Sequence, residues 1–251
     1  MNAAVPNGFP NPEATLSVRI WRGSAEGRFE RYEVPRRASQ TVLDVVTHVQ
    51  RHVDPSLAYR YACRVGMCGS CAMVINGRER WACRTLLSSL PRGAITVRPL
   101  YNFPLIRDLV VDMAPIKSKM VATKAVFVPV RRAGEEASFA AIGSETRERR
   151  AIDAAVECIG CGMCVSACTM VGHDALFPGP AALNRVFTLQ RDSRDAAHAE
   201  RGEALLSEDV LARCHGQANC TAVCPMQLSP TDSILALRRR AVLRLFGFPQ
   251  R

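Results

Sequence analysis

The stretch Cys158-Ile-Gly-Cys161-Gly-Met-Cys164-Val-Ser-Ala-Cys168 carries four cysteines spaced C-x2-C-x2-C-x3-C. The same rhythm returns in Cys214-His-Gly-Gln217-Ala-Asn-Cys220-Thr-Ala-Val-Cys224-Pro225, with Gln217 where its second cysteine would stand. A further group lies upstream, Cys63-Arg-Val-Gly-Met-Cys68-Gly-Ser-Cys71 followed by Cys83. All 11 cysteines of the chain belong to these three groups. Thiolates so arranged hold iron–sulfur clusters, and three groups predict three of them.

In paired runs of the C-x2-C-x2-C-x3-C kind, the last cysteine of each run serves the other run's cluster. Cys158, Cys161, Cys164 and Cys224 then form a complete four-thiolate set, suited to a 4Fe-4S cube. Cys168, Cys214 and Cys220 supply only three, because a neutral amide oxygen at Gln217 is a poor substitute for thiolate on iron. A 3Fe-4S cluster is the expected occupant there; the rival is a labile 4Fe-4S cluster completed by water or Gln217. In the upstream group, Gly66 and Gly69 permit the positive φ that curls a loop around one point and brings peptide N–H groups to sulfur. With Cys83 arriving from an adjacent segment, Cys63, Cys68, Cys71 and Cys83 make the plant-type 2Fe-2S arrangement. The rival there is a four-cysteine zinc site, but zinc motifs usually pair two C-x2-C knuckles.

The 251 residues, 48% apolar and 22% charged, read as a globular chain long enough for two cores. No stretch approaches the roughly 18 apolar residues that span a bilayer, and the opening MNAAVPNGFPNPEATL lacks a basic n-region and an apolar h-region, so the chain is expected to be unexported. An odd cysteine count at tight spacings fits metal ligation in a reducing compartment better than disulfides, with the cytoplasm as default. The formal charge of +10 leaves out ligand thiolates and iron. Oxidised clusters carry about −2 each with their thiolates, which brings the assembled protein to roughly +4. Acidic partner subunits or an anionic membrane face fit that excess better than nucleic acid, and no basic stripe is interleaved with aromatics.

Around the cysteines, residues 15–21 and 28–34 read as a hairpin across the Gly23–Gly27 turn. A helix capped by Ser39 or Thr41 should carry Val42, Val45, Val46, Val49 and Val53 up to Pro55. CAMVING follows, with Asn76-Gly77 as a tight turn, and then AITVRPL at 94–100, an order that is that of a β-grasp sheet. The fold class expected is α+β: an N-terminal β-grasp, plant-type ferredoxin domain over residues 1–114, followed by an all-α, bacterial-ferredoxin-like domain over 115–251. Apolar residues at 105, 106, 109, 110 and 113 read as helical, VATKAVFVPV as a possible strand, and residues 131–150 as a charged surface connection. In SILALRRRAVLRLFGF, Ile234, Leu235, Val242, Leu245 and Phe246 are expected roughly on one side of a basic amphipathic helix. Trp21 and Trp81 read as packing residues. No G-x-G-x-x-G or P-loop pattern occurs, so a flavin or nicotinamide would sit on another subunit.

CRVGMCGSCAMVING with WAC, CIGCGMCVSAC, GPAAL, RDSRD and CHGQANCTAVCP together resemble the iron–sulfur subunit of succinate dehydrogenase and fumarate reductase, from Thr15 to about Arg240. The resemblance implies an electron-transfer subunit, with no catalytic dicarboxylate site of its own, between a FAD-containing flavoprotein subunit and a quinone at a cytochrome b-type membrane anchor. It implies a peripheral position on the cytoplasmic side of the inner (plasma) membrane. It leaves open whether succinate is oxidised or fumarate reduced. The alternative is the iron–sulfur subunit of another redox complex, such as a thiol-linked fumarate reductase. Relatives usually have Pro after the cysteine matching Cys168 and then a quinone-binding Trp; this chain has Thr169-Met-Val-Gly-His173. The resemblance makes His215, which follows Cys214, the quinone-proximal candidate, with His173 and Arg238 as lesser ones. An imidazole with a reference pKa of about 6.5 can donate a proton or hydrogen bond near neutrality; a hydrogen bond to a nearby carbonyl or to the cluster is the plainer role for His215.

Overall fold

In the computed structural model, which describes residues 15–130, 142–206 and 210–247, the alternating start of the chain forms β1 (Thr15–Arg22), antiparallel to β2 (Arg28–Pro35). Leu16, Val18, Ile20 and Arg22 fall on the buried side of β1, as a period of two requires. Helix α1 (Val42–His52) begins where expected. Thr41 accepts the Asp44 N–H, and the Asp44 carboxylate accepts the Thr41 N–H, a reciprocal cap. The helix buries Val42, Leu43, Val45, Val46 and Val49 in the same core as Val18 and Ile20. Strands β3 (Ala72–Ile75) and β4 (Arg78–Trp81) are joined through Asn76 and Gly77 at φ 49° and 77°, the left-handed pair that a two-residue hairpin needs. With β5 (Ile95–Arg98) the sheet reads β2-β1-β5-β3-β4, parallel only between β1 and β5.

Residues 105–111 depart from the helical expectation. They form a small hairpin, β6 (Leu105–Arg107) and β7 (Val110–Val111), with Asp108 at φ 51° in its turn. The reason is tertiary: the buried Asp108 carboxylate accepts the Gly23 N–H at 2.7 Å and the Ala58 N–H at 2.8 Å. Those bonds outweigh the local apolar spacing.

The remainder is helical: α2 (Ala114–Ala122), α3 (Arg147–Val156), α4 (Met163–Ser166), α5 (Thr169–His173), α6 (Pro180–Leu189), α7 (His198–Leu206), α8 (Asn219–Ala222) and α9 (Pro230–Leu245). Helix α6 lies at the centre, packed by α2, α3, α4 and α9, and every residue but Arg185 is buried. The possible strand VATKAVFVPV is not one. It starts inside α2 and continues as an extended segment with a lone bridge from Pro129 to Asp195. That segment is held by Arg201, fully buried, which donates to both Asp195 oxygens at 3.0 and 3.1 Å and to the carbonyls of Lys124 and Val126. Of the expected connection at 131–150, residues 131–141 lie outside the described residues, and α3 occupies its end. On α9 the core side is Ile234 with Leu237, while Leu235, Val242 and Phe246 are exposed. The expected single apolar side is therefore split, because the core-facing positions are Ile234, Leu237 and Ala241, and Leu235 and Val242 lie around the helix from them. No described helix is long and apolar enough to cross a membrane.

The chain divides into two compact units. One runs to Leu100 and includes Leu105–Val111; the other takes Tyr101–Pro104 and the chain from Asp112. The architecture is thus mixed, a sheet-containing N-terminal unit and a helical C-terminal one.

Candidate functional site

In the first unit the segment 63–71 lies between α1 and β3 and curls. Arg64, Gly66 and Gly69 all have positive φ, at 61°, 76° and 72°. Gly66 is needed twice over, since a Cβ there would meet the Trp81 ring at 3.0 Å. The curl turns peptide N–H groups inward: those of Met67 and Cys68 both donate to Cys63 Sγ at 3.3 Å. The Cys63 N–H reaches Cys68 Sγ at 3.5 Å. That N–H and the donors of Ser70 lower the Cys68 thiol to about 6. Cys71 is the opposite case, pushed up to about 12 by burial, with the charge of Cys83 and Cys68 adding to it. Cys83 is brought alongside by the Ala82 N–H, which donates to Cys71 O at 3.1 Å.

In the helical unit the two runs have the same backbone. Gly160 and Gly162 lie at φ 66° and 80°, and Gly216 and Ala218, at the matching positions, at 69° and 60°. Each left-handed residue starts a one-turn helix, Gly162 starting α4 and Ala218 starting α8. The sulfurs nevertheless sort across the runs. One cavity is lined by Cys158, Cys161, Cys164 and Cys224; another by Cys168, Cys214 and Cys220 together with His215, Gln217 and Thr169. Burial raises the Cys158, Cys161 and Cys164 thiols, Cys161 to about 11 and Cys164 well above its ordinary range. Cys168 is likewise raised, by burial first and then by Cys220 and Cys214, the cysteines of the later run. Among the described residues no three His, Cys, Asp or Glu side chains are grouped to hold one metal ion. Thiols spread around a shared cavity are a donor set that fits a multi-atom iron–sulfur core.

Other side chains set these loops in place. Asn102 Nδ2 donates to the carbonyls of Val165, Ser166 and Cys168 at 2.9, 3.0 and 2.9 Å, fixing the turn from α4 into α5. Arg238 donates to the carbonyls of Leu211 and Cys214, the latter at 2.6 Å, so its guanidinium braces the loop that presents Cys214. Thr169 Oγ1 donates to Gln217 Oε1 at 2.7 Å. His173 is exposed at the end of α5 and does not line the three-cysteine cavity. Neither Asn102 nor Thr169 has a signature in the sequence; each is a lone polar residue, although the loss of proline after Cys168 marks the second position.

Comparison with known proteins finds iron–sulfur domains over both cysteine-bearing regions. Residues 16–118 match the profile of a 2Fe-2S iron-sulfur cluster binding domain, and residues 154–228 that of a 4Fe-4S dicluster domain. Fold and cysteine nests thus define an iron–sulfur electron carrier. The chain is 36% identical over 210 residues to the fumarate reductase iron-sulfur subunit of Mycobacterium tuberculosis, covering 82% of this chain and 83% of that one. It is 30% identical over 246 residues to the succinate dehydrogenase iron-sulfur subunit of Paracoccus denitrificans, covering 94% and 93%. The structure superposes on a chain of the Mycobacterium smegmatis Sdh1 complex in the apo form with a TM-score of 0.83 at 28% identity, covering 92% of this chain and 97% of that chain. The chain belongs to the family of iron–sulfur subunits of fumarate reductase and succinate dehydrogenase. It serves electron transfer within such an oxidoreductase complex.

Proposed function

We propose that the chain carries a 2Fe-2S cluster on Cys63, Cys68, Cys71 and Cys83, a 4Fe-4S cluster on Cys158, Cys161, Cys164 and Cys224, and a 3Fe-4S cluster on Cys168, Cys214 and Cys220. The observation that supports it is the exchange of Cys168 and Cys224 between the two cavities, which leaves Gln217 at the fourth corner of one. Bound clusters would supply one-electron redox couples whose potentials follow hydrogen bonding and burial. The chain's own part is to hold the thiolates at fixed positions, to aim N–H donors at sulfur and to limit water.

In this reading residues 1–114 are a plant-type, β-grasp ferredoxin domain and 115–251 a bacterial-ferredoxin-like domain. The partners are a FAD-containing flavoprotein subunit and a cytochrome b-type anchor that holds quinone, with the chain peripheral on the cytoplasmic face of the inner membrane. His215, on the wall of the three-cysteine cavity, faces the quinone side and donates a hydrogen bond or proton as quinone gains charge. Arg238 contributes through the Cys214 loop that it braces. Electron paramagnetic resonance of the air-oxidised holoprotein tests the cluster set. A near-isotropic three-iron signal is expected, lost in Gln217→Cys; a signal that survives the substitution overturns it. His215→Ala should slow quinone reduction by the assembled complex while flavin-linked dye reduction persists.

A further inference from the structure

When the run 214–225 is laid on 158–169, Gln217 falls on Cys161 and Pro225 on Thr169. Because the cavities exchange their last cysteines, the corner residue of each faces the residue after the crossing cysteine. Cys161 shares a cavity with Pro225, and Gln217 shares one with Thr169. The two positions differ together. Where the corner is a thiol, its neighbour has no side-chain polar atom; where the corner is an amide, its neighbour is a hydroxyl that donates to Gln217 Oε1 at 2.7 Å. A carboxamide has an acceptor end, which can ligate a cation, and a donor end, which cannot.

Resting on the three-iron reading above, we infer that Thr169 and Gln217 form a lock on the open corner. The hydroxyl engages the carbonyl and leaves the Nε2 end for the cavity, so the corner offers no ligand to a fourth iron. N–H donors at that place favour an anionic sulfide core instead. A reduced three-iron core and one ferrous ion combine into a four-iron core with no further electron transferred, so the corner group decides whether the ion is retained.

The test is an anaerobic titration of the dithionite-reduced holoprotein with Fe(II), followed after reoxidation by the three-iron paramagnetic signal and by iron content. Wild type and Thr169→Ser lose the signal only at the high end of the Fe(II) range. Thr169→Val, which frees the carbonyl, loses it at about tenfold less Fe(II), the equivalent of one hydrogen bond. Thr169→Ala should behave as Thr169→Val does, which guards against a misfolded variant. Gln217→Glu, which puts a hard anionic ligand at the corner, takes up iron most readily. Thr169→Val and Thr169→Ala titrating like wild type, while Gln217→Glu takes up iron, would overturn the lock and leave the three-iron reading standing. A fourth iron already present in wild type before any titration would overturn both.

Discussion

The four-cysteine and three-cysteine cavities of the helical unit are built on one backbone and end in different chemistry. Their loops match at the left-handed positions, Gly160 with Gly216 and Gly162 with Ala218, and each leads into a one-turn helix. What differs is the surroundings. Gly162 is packed so closely that a Cβ would meet Met113 Cε at 2.8 Å and Phe103 Cζ at 3.1 Å, whereas its match in the other run, Ala218, carries a Cβ; at the other matched pair, Gly160 and Gly216, nothing lies within 4 Å of a Cβ in either. The three-cysteine loop is instead held by polar bonds, from Arg238 to Cys214 and from Thr169 to Gln217. Backbone conformation thus decides where donors are presented, and single side chains decide what they can hold.

The largest loss is expected at Asn102, whose bonds to three carbonyls fix the turn that delivers Cys168 to the opposite cavity. Asn102→Ala should cost about 2–3 kcal/mol, since two N–H hydrogens at about 1 kcal/mol or a little more each serve the three carbonyls. The check is the urea midpoint at which the holoprotein loses its visible absorbance. Gly162→Ala combines left-handed strain with overpacking and should cost about 2–3 kcal/mol. Gly216→Ala carries the strain alone, about 1 kcal/mol on the same assay. Equal losses would mean that the close packing around Gly162 costs nothing beyond the backbone strain. The smallest effect sharpens the contrast: Ala218, at φ 60°, is a strained non-glycine residue, and Ala218→Gly should raise stability by about 0.5 kcal/mol.

Much of this was legible in the chain itself. The β1–β2 hairpin follows from alternation and α1 from its valines and Thr41, because both are specified locally. The exchange of last cysteines is read from the rhythm, and what the fold adds is which sulfurs line a common cavity. The misreadings share a cause. At 105–113 the apolar spacing suited a helix, but the Asp108 carboxylate is bonded to Gly23 and Ala58, far away in sequence. At 121–130 the valines suited a strand, yet the segment is fastened by Arg201 and Asp195 rather than by a neighbouring strand. Asn102 carries no mark in the sequence and Thr169 only the loss of proline, since a lone polar side chain declares its role only through its partner.

The exchange of last cysteines between the runs is most directly tested by Cys168→Ala and Cys224→Ala, each examined by electron paramagnetic resonance of the air-oxidised and the dithionite-reduced holoprotein. Cys168→Ala should abolish the oxidised three-iron signal and leave the reduced four-iron signal, and Cys224→Ala should do the reverse. Loss of the four-iron signal in Cys168→Ala with the three-iron signal intact would contradict the account, because each run would then be serving its own cluster.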